Sequence, residues 1–386
     1  MKIRLNYCKI YVGKILVARF SGKRRLKMEK KFRKIGILTS GGDAQGMNAA
    51  VRAVTRKAID CGIEVVGIIG GYSGLIKDKT IPLTSRSVSN IITHGGTALY
   101  SDRCVEFKTE EGMQRAIEVC KKNEIDAIVA IGGDGTFRGA TDLTWRGIPT
   151  IGVPGTIDND ITATDYSIGF DTAMNAVVEC VDRLRDTCES HARCNVVEVM
   201  GRHCGEIALE TAIACGAVAC AIAEVPFDEE DCINRINQLK EDGKRGMIVI
   251  VSEGVFDADG KPYGEGLRKR IEEKTGVESK FARLAHLVRG GTPTLRDRST
   301  ASKMGAKAVE LLLEGKSNVV ICEIDGSIVP VDISFALIAD RMYKNTLKEG
   351  DLDKFTEEQV NEMKAISEKR RKEVQERYDL IKQLAN

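Results

Sequence analysis

The sequence predicts an α/β protein of two lobes, each a mostly parallel sheet with helices on both faces, with the active site in the cleft between them. Three observations predict it. From Lys34 onward, short β-branched runs alternate with helical patterns, as parallel strands joined by helical crossovers require. A second series of the same kind starts near Asp171. The chain's 386 residues are enough for two lobes of ordinary domain size.

In the first series the strand IGILTS leads to a helix over 46–60, and VVGIIGG follows. A helix over 111–122 precedes AIVAIGG, and a helix over 137–146 precedes TIGVPG. The second series opens with a long helix over 171–190, in which Ala173, Val177, Val181 and Leu184 recur at helical spacing. VVEVMG, a helix over 203–215, ACAIAEV, a helix over 229–242 and MIVIVSEG complete it. A helix over 298–314 and the strand NVVICEI return the chain to the first lobe. The expected boundaries are 34–168 with about 288–338 for the first lobe, and 169–287 with about 339–351 for the second. Residues 352–386 read as a charged C-terminal helix capping the surface, with a partial stripe of Leu352, Phe355, Val360, Met363 and Ile366.

Bulk properties narrow the function. Lys and Arg number 58 against 56 for Asp and Glu, a balance that argues against a nucleic-acid coat or a membrane-surface protein. Twelve cysteines are scattered singly, without CxxC pairs, and read as reduced thiols of a cytoplasmic protein. No apolar run approaches the roughly 18 residues of a membrane span. Residues 1–33 form a basic extension; its first 27 residues hold nine Lys/Arg and no acid, without an apolar core or a small-residue cleavage site. The expectation is that Met28 is the native start and that residues 1–27 are misassigned or dispensable.

Chemistry concentrates in three turns at strand ends. Ser40-Gly41-Gly42-Asp43 precedes a helix whose free N–H groups could face an anion. In GGDGT, Gly132, Gly133 and Gly135 leave room for a polyphosphate, and Asp134 could carry Mg²⁺. An aspartate that stabilises its own turn is the alternative there. In Pro154-Gly155-Thr156-Ile157-Asp158-Asn159-Asp160, extended backbone would put Asp158 and Asp160 on one face, one to take a proton and one to help a metal or orient its neighbour. Arginines at element ends of the second series, Arg185, Arg193, Arg202 and Arg289, suit a bidentate grip on a second phosphate.

Taken in order, IGILTSGGDAQGMNAAVRA, GGDGTFRGA, GVPGTIDNDI, DRLRDT, VVEVMGRHCG and HLVRGGTPTLRDR resemble the 6-phosphofructokinases over roughly residues 34–340. The resemblance implies two Rossmann-like three-layer lobes and ATP-dependent phosphorylation of fructose 6-phosphate at its 1-hydroxyl, a committed step of glycolysis. It implies that Gly42, Arg103, Cys104, Gly133, Asp134, Gly135 and Thr136 contact ATP, with Asp134 serving Mg²⁺. Asp158 would be the general base, and Thr156, Asp160 and Arg202 would position the transferring phosphoryl group. Thr156, Ile157, Met200, Gly201 and Glu253 would border the sugar, while Arg193, Lys280, His286 and Arg289 would hold it, mainly by its 6-phosphate. Arg193 would reach in from a neighbouring subunit, which implies a homotetramer.

Donor choice is also legible. Pyrophosphate-using relatives resemble GGDD and PKTIDND, where this chain has Gly135 and Gly155. A carboxylate at 135 would crowd and repel a nucleotide triphosphate, so glycine predicts ATP. A pyrophosphate-dependent or mixed-donor enzyme and a non-catalytic sugar-phosphate sensor are the alternatives. Lys280 stands where the family has an arginine, and Val288, Asp102 and Cys104 also depart from its pattern. Arg52, Arg56, Arg185 and Lys244 match positions that bind ADP or phosphoenolpyruvate in regulated relatives, but Val218 and Asp242 do not, so control by those effectors is not expected.

Overall fold

A computed structural model describes residues 32–385; residues 1–31, with the expectation about Met28, lie outside the described residues, as does residue 386. Among the described residues eleven strands form: β1 (Lys34–Ser40), β2 (Glu64–Ile68), β3 (Thr80–Leu83), β4 (Ala127–Gly132), β5 (Thr150–Pro154), β6 (Cys194–Val199), β7 (Ala219–Ala221), β8 (Met247–Ser252), β9 (Ser279–Arg283), β10 (Val319–Ile324) and β11 (Ser327–Asp332). The helices are α1 (Met47–Asp60), α2 (Gly71–Ile76), α3 (Glu110–Lys122), α4 (Asp134–Trp145), α5 (Phe170–His191), α6 (Glu206–Ala214), α7 (Glu229–Glu241), α8 (Tyr263–Thr275), α9 (Leu295–Leu313), α10 (Ile333–Tyr343) and α11 (Glu357–Leu384).

One sheet has the order β11-β10-β5-β4-β1-β2-β3, the other β7-β8-β6-β9. The fold is α/β, as expected. Every pairing is parallel except those of the edge strands β3 and β11. Parallel strands covered on both faces need continuous apolar runs rather than alternation. AIVAIG and MIVIVS meet that demand, with all six residues buried in each. Helix starts are chemically marked: Thr109, Asp228, Thr294 and Asp332 accept main-chain N–H groups of α3, α7, α9 and α10.

Several elements differ from expectation for identifiable reasons. Helix α4 begins at Asp134 rather than Phe137, because Gly133 is extended and the chain coils immediately after it. Helix α6 starts at Glu206, since Gly201–Gly205 is spent on a loop. Strand β11 was not anticipated; Asp325 and Gly326, at φ 48° and 74°, make the tight hairpin turn that folds it back on β10. Helix α11 starts only at Glu357, behind a capping box of Thr356 and Gln359. Its buried face is Met363, Ser367, Arg370, Val374, Tyr378 and Ile381. Of the expected stripe, Met363 belongs to that face and the half-buried Ile366 packs against the same cluster, while Leu352 and Phe355 precede the helix and pack there beside α10.

Candidate active site

Register brings the three glycine-rich turns to one level. Ser40 pairs with Gly132, and Gly132 with Pro154, so the chain leaves β1, β4 and β5 side by side. Connections from β1 run outward to β2 on one side, while β4 lies on the other, which makes this the switch point where open α/β sheets bind ligands. The buried Thr136 hydroxyl donates to the Ser40 oxygen at 3.1 Å, and Tyr72 donates to the Thr136 oxygen at 2.6 Å. Thr136 therefore braces the first two turns. A side-chain carbon at Gly135 would meet nothing within 4 Å, whereas one at Gly155 would press on Met47 at 3.0 Å.

Asp134 opens α4 and pairs with Arg138 one turn on. Burial raises its carboxyl above the usual range; Arg138 opposes the rise, and Asp340 and Asp160 add to it. Lys344 stands among these acids, 2.9 Å from Asp340 and 3.5 Å from Asp160, and donates to the Asp160 main-chain oxygen at 3.2 Å. Mg²⁺ asks for one or two carboxylates plus substrate phosphate oxygens. Asp134, desolvated and beside the glycine turns, can supply one such carboxylate.

The segment carrying Asp158 is a turn, not the extended strand expected. Asn159, between the two aspartates, is left-handed at φ 50°, which costs on the order of 1 kcal/mol for a non-glycine residue. Asn159 is held there: its side chain accepts from Ser167 N at 2.9 Å, and Ser167 Oγ donates to the Thr156 oxygen at 2.6 Å. Asp158 N donates to Thr156 Oγ1 at 3.3 Å, while the buried Asp158 Oδ1 has no hydrogen-bond partner among the described residues. Burial, then Asp160, push the Asp158 carboxyl up to about 6; Arg289 and Lys344 oppose the rise and Glu253 adds to it. A carboxylate held near neutrality with an unpartnered oxygen can take a proton.

The second sheet delivers its residues in the same way. Val199 pairs with Ser252, so Met200-Gly201-Arg202 and Glu253 emerge together. Ser252 Oγ donates to the Gly201 oxygen at 2.5 Å, locking the two exits. A short helical turn, Ala285–Arg289, follows β9 and carries His286 and Arg289. Arg289 Nη1 donates to the Asp43 oxygen at 3.0 Å, so this segment touches the first glycine turn. His286, Arg202 and Arg103 are exposed, and Cys104 is half-buried. The Ile157 side chain is wholly buried in the apolar core.

The family model described as Phosphofructokinase matches residues 34–312. A curated relative, the ATP-dependent 6-phosphofructokinase 1 of Clostridium perfringens, is 49% identical over 317 residues, 82% of this chain and 98% of its own length. The chain belongs to the phosphofructokinase family. The ATP-dependent 6-phosphofructokinase of Bacillus subtilis is 53% identical over 284 residues, 74% of this chain and 87% of that protein. Among solved structures, the phosphofructokinase of Saccharomyces cerevisiae superposes with a TM-score of 0.76 at 31% identity, over 83% of this chain and 47% of that one. This chain thus spans about half the length of the yeast chain. A pyrophosphate-dependent phosphofructokinase from Marinobacter aquaeolei gives a TM-score of 0.68 at 25% identity, over 78% and 83% of the two chains.

Two residues expected to hold the sugar phosphate, Arg193 and Lys280, are not brought to the site by this chain. Arg193 directly precedes β6 and Lys280 lies early in β9, at the end of the sheet opposite Met200. Six residues of strand, roughly 20 Å, separate the two ends. Both cations instead meet Glu278, each at 2.9 Å, and hold its carboxyl down at about 2. Of the residues weighed for effector binding, Arg185 donates to the Cys215 oxygen; Val218 and Asp242, which depart from the effector pattern, are respectively buried in an apolar cluster and hydrogen-bonded to Gln238 at 3.2 Å. Sequence reasoning missed Asp340 and Lys344, because α10, which carries Asp340 and ends beside Lys344, was not anticipated.

Proposed function

We propose that the chain transfers the γ-phosphoryl group of ATP to the 1-hydroxyl of fructose 6-phosphate, giving fructose 1,6-bisphosphate and ADP in glycolysis. The observation that carries this reading is Asp158. It is a largely buried carboxylate with an unpartnered oxygen; it follows β5, whose end lies beside the ends of β1 and β4 that carry the glycine turns, and Glu253 and Arg289 act on its charge. Phosphoryl transfer needs positioning and charge compensation more than covalent help. Gly42, Gly133 and the open space at Gly135 receive the triphosphate, and Asp134 would hold Mg²⁺, which neutralises phosphate charge when bound. Asp158 accepts the hydroxyl proton, Thr156, Asp160 and Arg202 orient the phosphoryl group, and Met200, Gly201, Glu253, His286 and Arg289 hold the sugar phosphate.

The site is completed by a second copy in a homotetramer. The support is the placement of Arg193 and Lys280 at the far end of their own sheet, where they can serve a neighbour's sugar site. A cytoplasmic location accords with the eleven free cysteines among the described residues.

Incubating the purified protein with fructose 6-phosphate and either MgATP or Mg-pyrophosphate, with products followed by ³¹P NMR, tests the reading. ATP supports turnover and pyrophosphate does not. Turnover with pyrophosphate alone would replace the donor, and turnover with neither would leave only a sensor.

A further inference from the structure

Helix α11 lies beyond the residues that the family model matches, yet one of its side chains is buried against the loop that carries Asp158. Arg370 Nη2 donates to the Asn159 oxygen at 2.5 Å. Its Nη1 donates to the oxygens of Ile161 and Thr164 at 3.3 and 3.1 Å. One guanidinium thus gathers three main-chain carbonyls that the loop turns inward, where each needs a donor. The first belongs to the left-handed residue between Asp158 and Asp160.

The helix is fixed on both sides of this contact. Arg377 grips Glu206 and Glu210 of α6 at 2.6 to 2.8 Å. Arg371 donates to the Tyr343 oxygen at 2.8 Å and to Asn345 Oδ1 at 2.8 Å, at the end of α10. Arg370 is therefore presented to the loop by a scaffold tied to helices of both sheets. It touches neither reacting carboxylate. It fixes the peptide units that decide where those carboxylates point.

We propose that Arg370 is a positioning residue for phosphoryl transfer, holding the Asn159 turn so that Asp158 faces the acceptor hydroxyl. This rests on the reading of Asp158 as the base. A misplacement of about 1 Å at a reacting group costs about 10²-fold in rate without a matching loss of binding.

The test compares Arg370→Met, Arg370→Lys, Arg377→Met and Asp158→Asn in the full chain, with kcat, both KM values and Tm measured for each. Arg370→Met lowers kcat by about 10²-fold and leaves both KM values within about threefold, and Arg370→Lys recovers part of that loss. Arg377→Met lowers Tm but keeps kcat within about threefold, because it loosens the helix without releasing the carbonyls. Near-normal kcat in Arg370→Met beside an inactive Asp158→Asn would overturn the inference and leave the base reading standing. Equal kcat losses in Arg370→Met and Arg377→Met would also overturn it, reducing Arg370 to helix docking. Near-normal turnover of Asp158→Asn would instead overturn the base reading. Should Arg370→Met not fold, Arg370→Lys decides: one ammonium cannot reproduce the fork to three carbonyls, so a kcat about fivefold low in a folded protein supports the inference and wild-type kcat overturns it.

Discussion

Arg193 Nε lies 2.9 Å from Glu278 Oε2, at the end of the second sheet away from Met200 and Gly201 of the same chain. An arginine that serves the sugar phosphate from that position must serve another subunit. Two separately inactive variants, Arg193→Ala and Asp158→Asn, should therefore complement each other when subunits are mixed and allowed to exchange. A site formed by Asp158 of the first variant and Arg193 of the second is intact. Activity well above either parent is the expected result. A mixture no better than its parents would place Arg193 in its own chain's business alone.

Gly135 faces open space, and that space is what the donor reading uses. Gly135→Asp adds a carboxylate beside Asp134 with no neighbour for it to strike, so the fold should be unaffected. Repulsion between like charges a few ångströms apart should raise the KM for ATP by about tenfold or more. The KM for fructose 6-phosphate should change little. Steady-state kinetics with each substrate varied in turn checks this, and equal effects on both KM values would contradict it.

The upward shift at Asp158 has a sign that can be read in stability. Its carboxyl sits at about 6 in the folded chain against roughly 3.9 when unfolded, so the folded state holds the extra proton between those values. Folding stability is therefore free of this cost below about pH 4, falls as pH rises from 4 to 6, and carries the full cost above 6. Two units correspond to about 3 kcal/mol. Asp158→Asn removes the ionisation, so it should melt higher than the parent at pH 8, with the difference closing near pH 4.5. Parallel melting curves at the two pH values measure it; a less stable variant at pH 8 would show that Asp158 is not desolvated as described.

Much of this was legible in the chain because it depends on local pattern. AIVAIG must be a buried parallel strand, and glycines and aspartates that follow three such strands must meet once the strands pair in register. What escaped was either a turn detail or a long-range contact. Asp158 and Asp160 read as a pair on extended backbone, but Asn159 tolerates the left-handed region and turns the chain there. Asp325-Gly326 was a hairpin signal that would have revealed β11 and, beyond it, α10 with Lys344.

Arg370 was harder. It sits in the run Lys369-Arg370-Arg371-Lys372, and no local property distinguishes the one buried cation from its neighbours. Only helical phase does: Met363, Ser367, Arg370, Val374 and Tyr378 share a face. A charged residue in the middle of a buried stripe is the signal that phase would have exposed, since such a residue must be paired inside the fold.

Phosphoryl transfer at this site depends on a proton taken by Asp158, and the most direct measurement is the kinetics of Asp158→Asn with fructose 6-phosphate and MgATP at pH 8. A general base contributes about 10²- to 10⁴-fold. The predicted result is a kcat lower by that factor, with both KM values within about threefold of the parent and a folded protein by its melting curve. A kcat within about threefold of the parent would contradict the account, because the hydroxyl proton would then leave by another route.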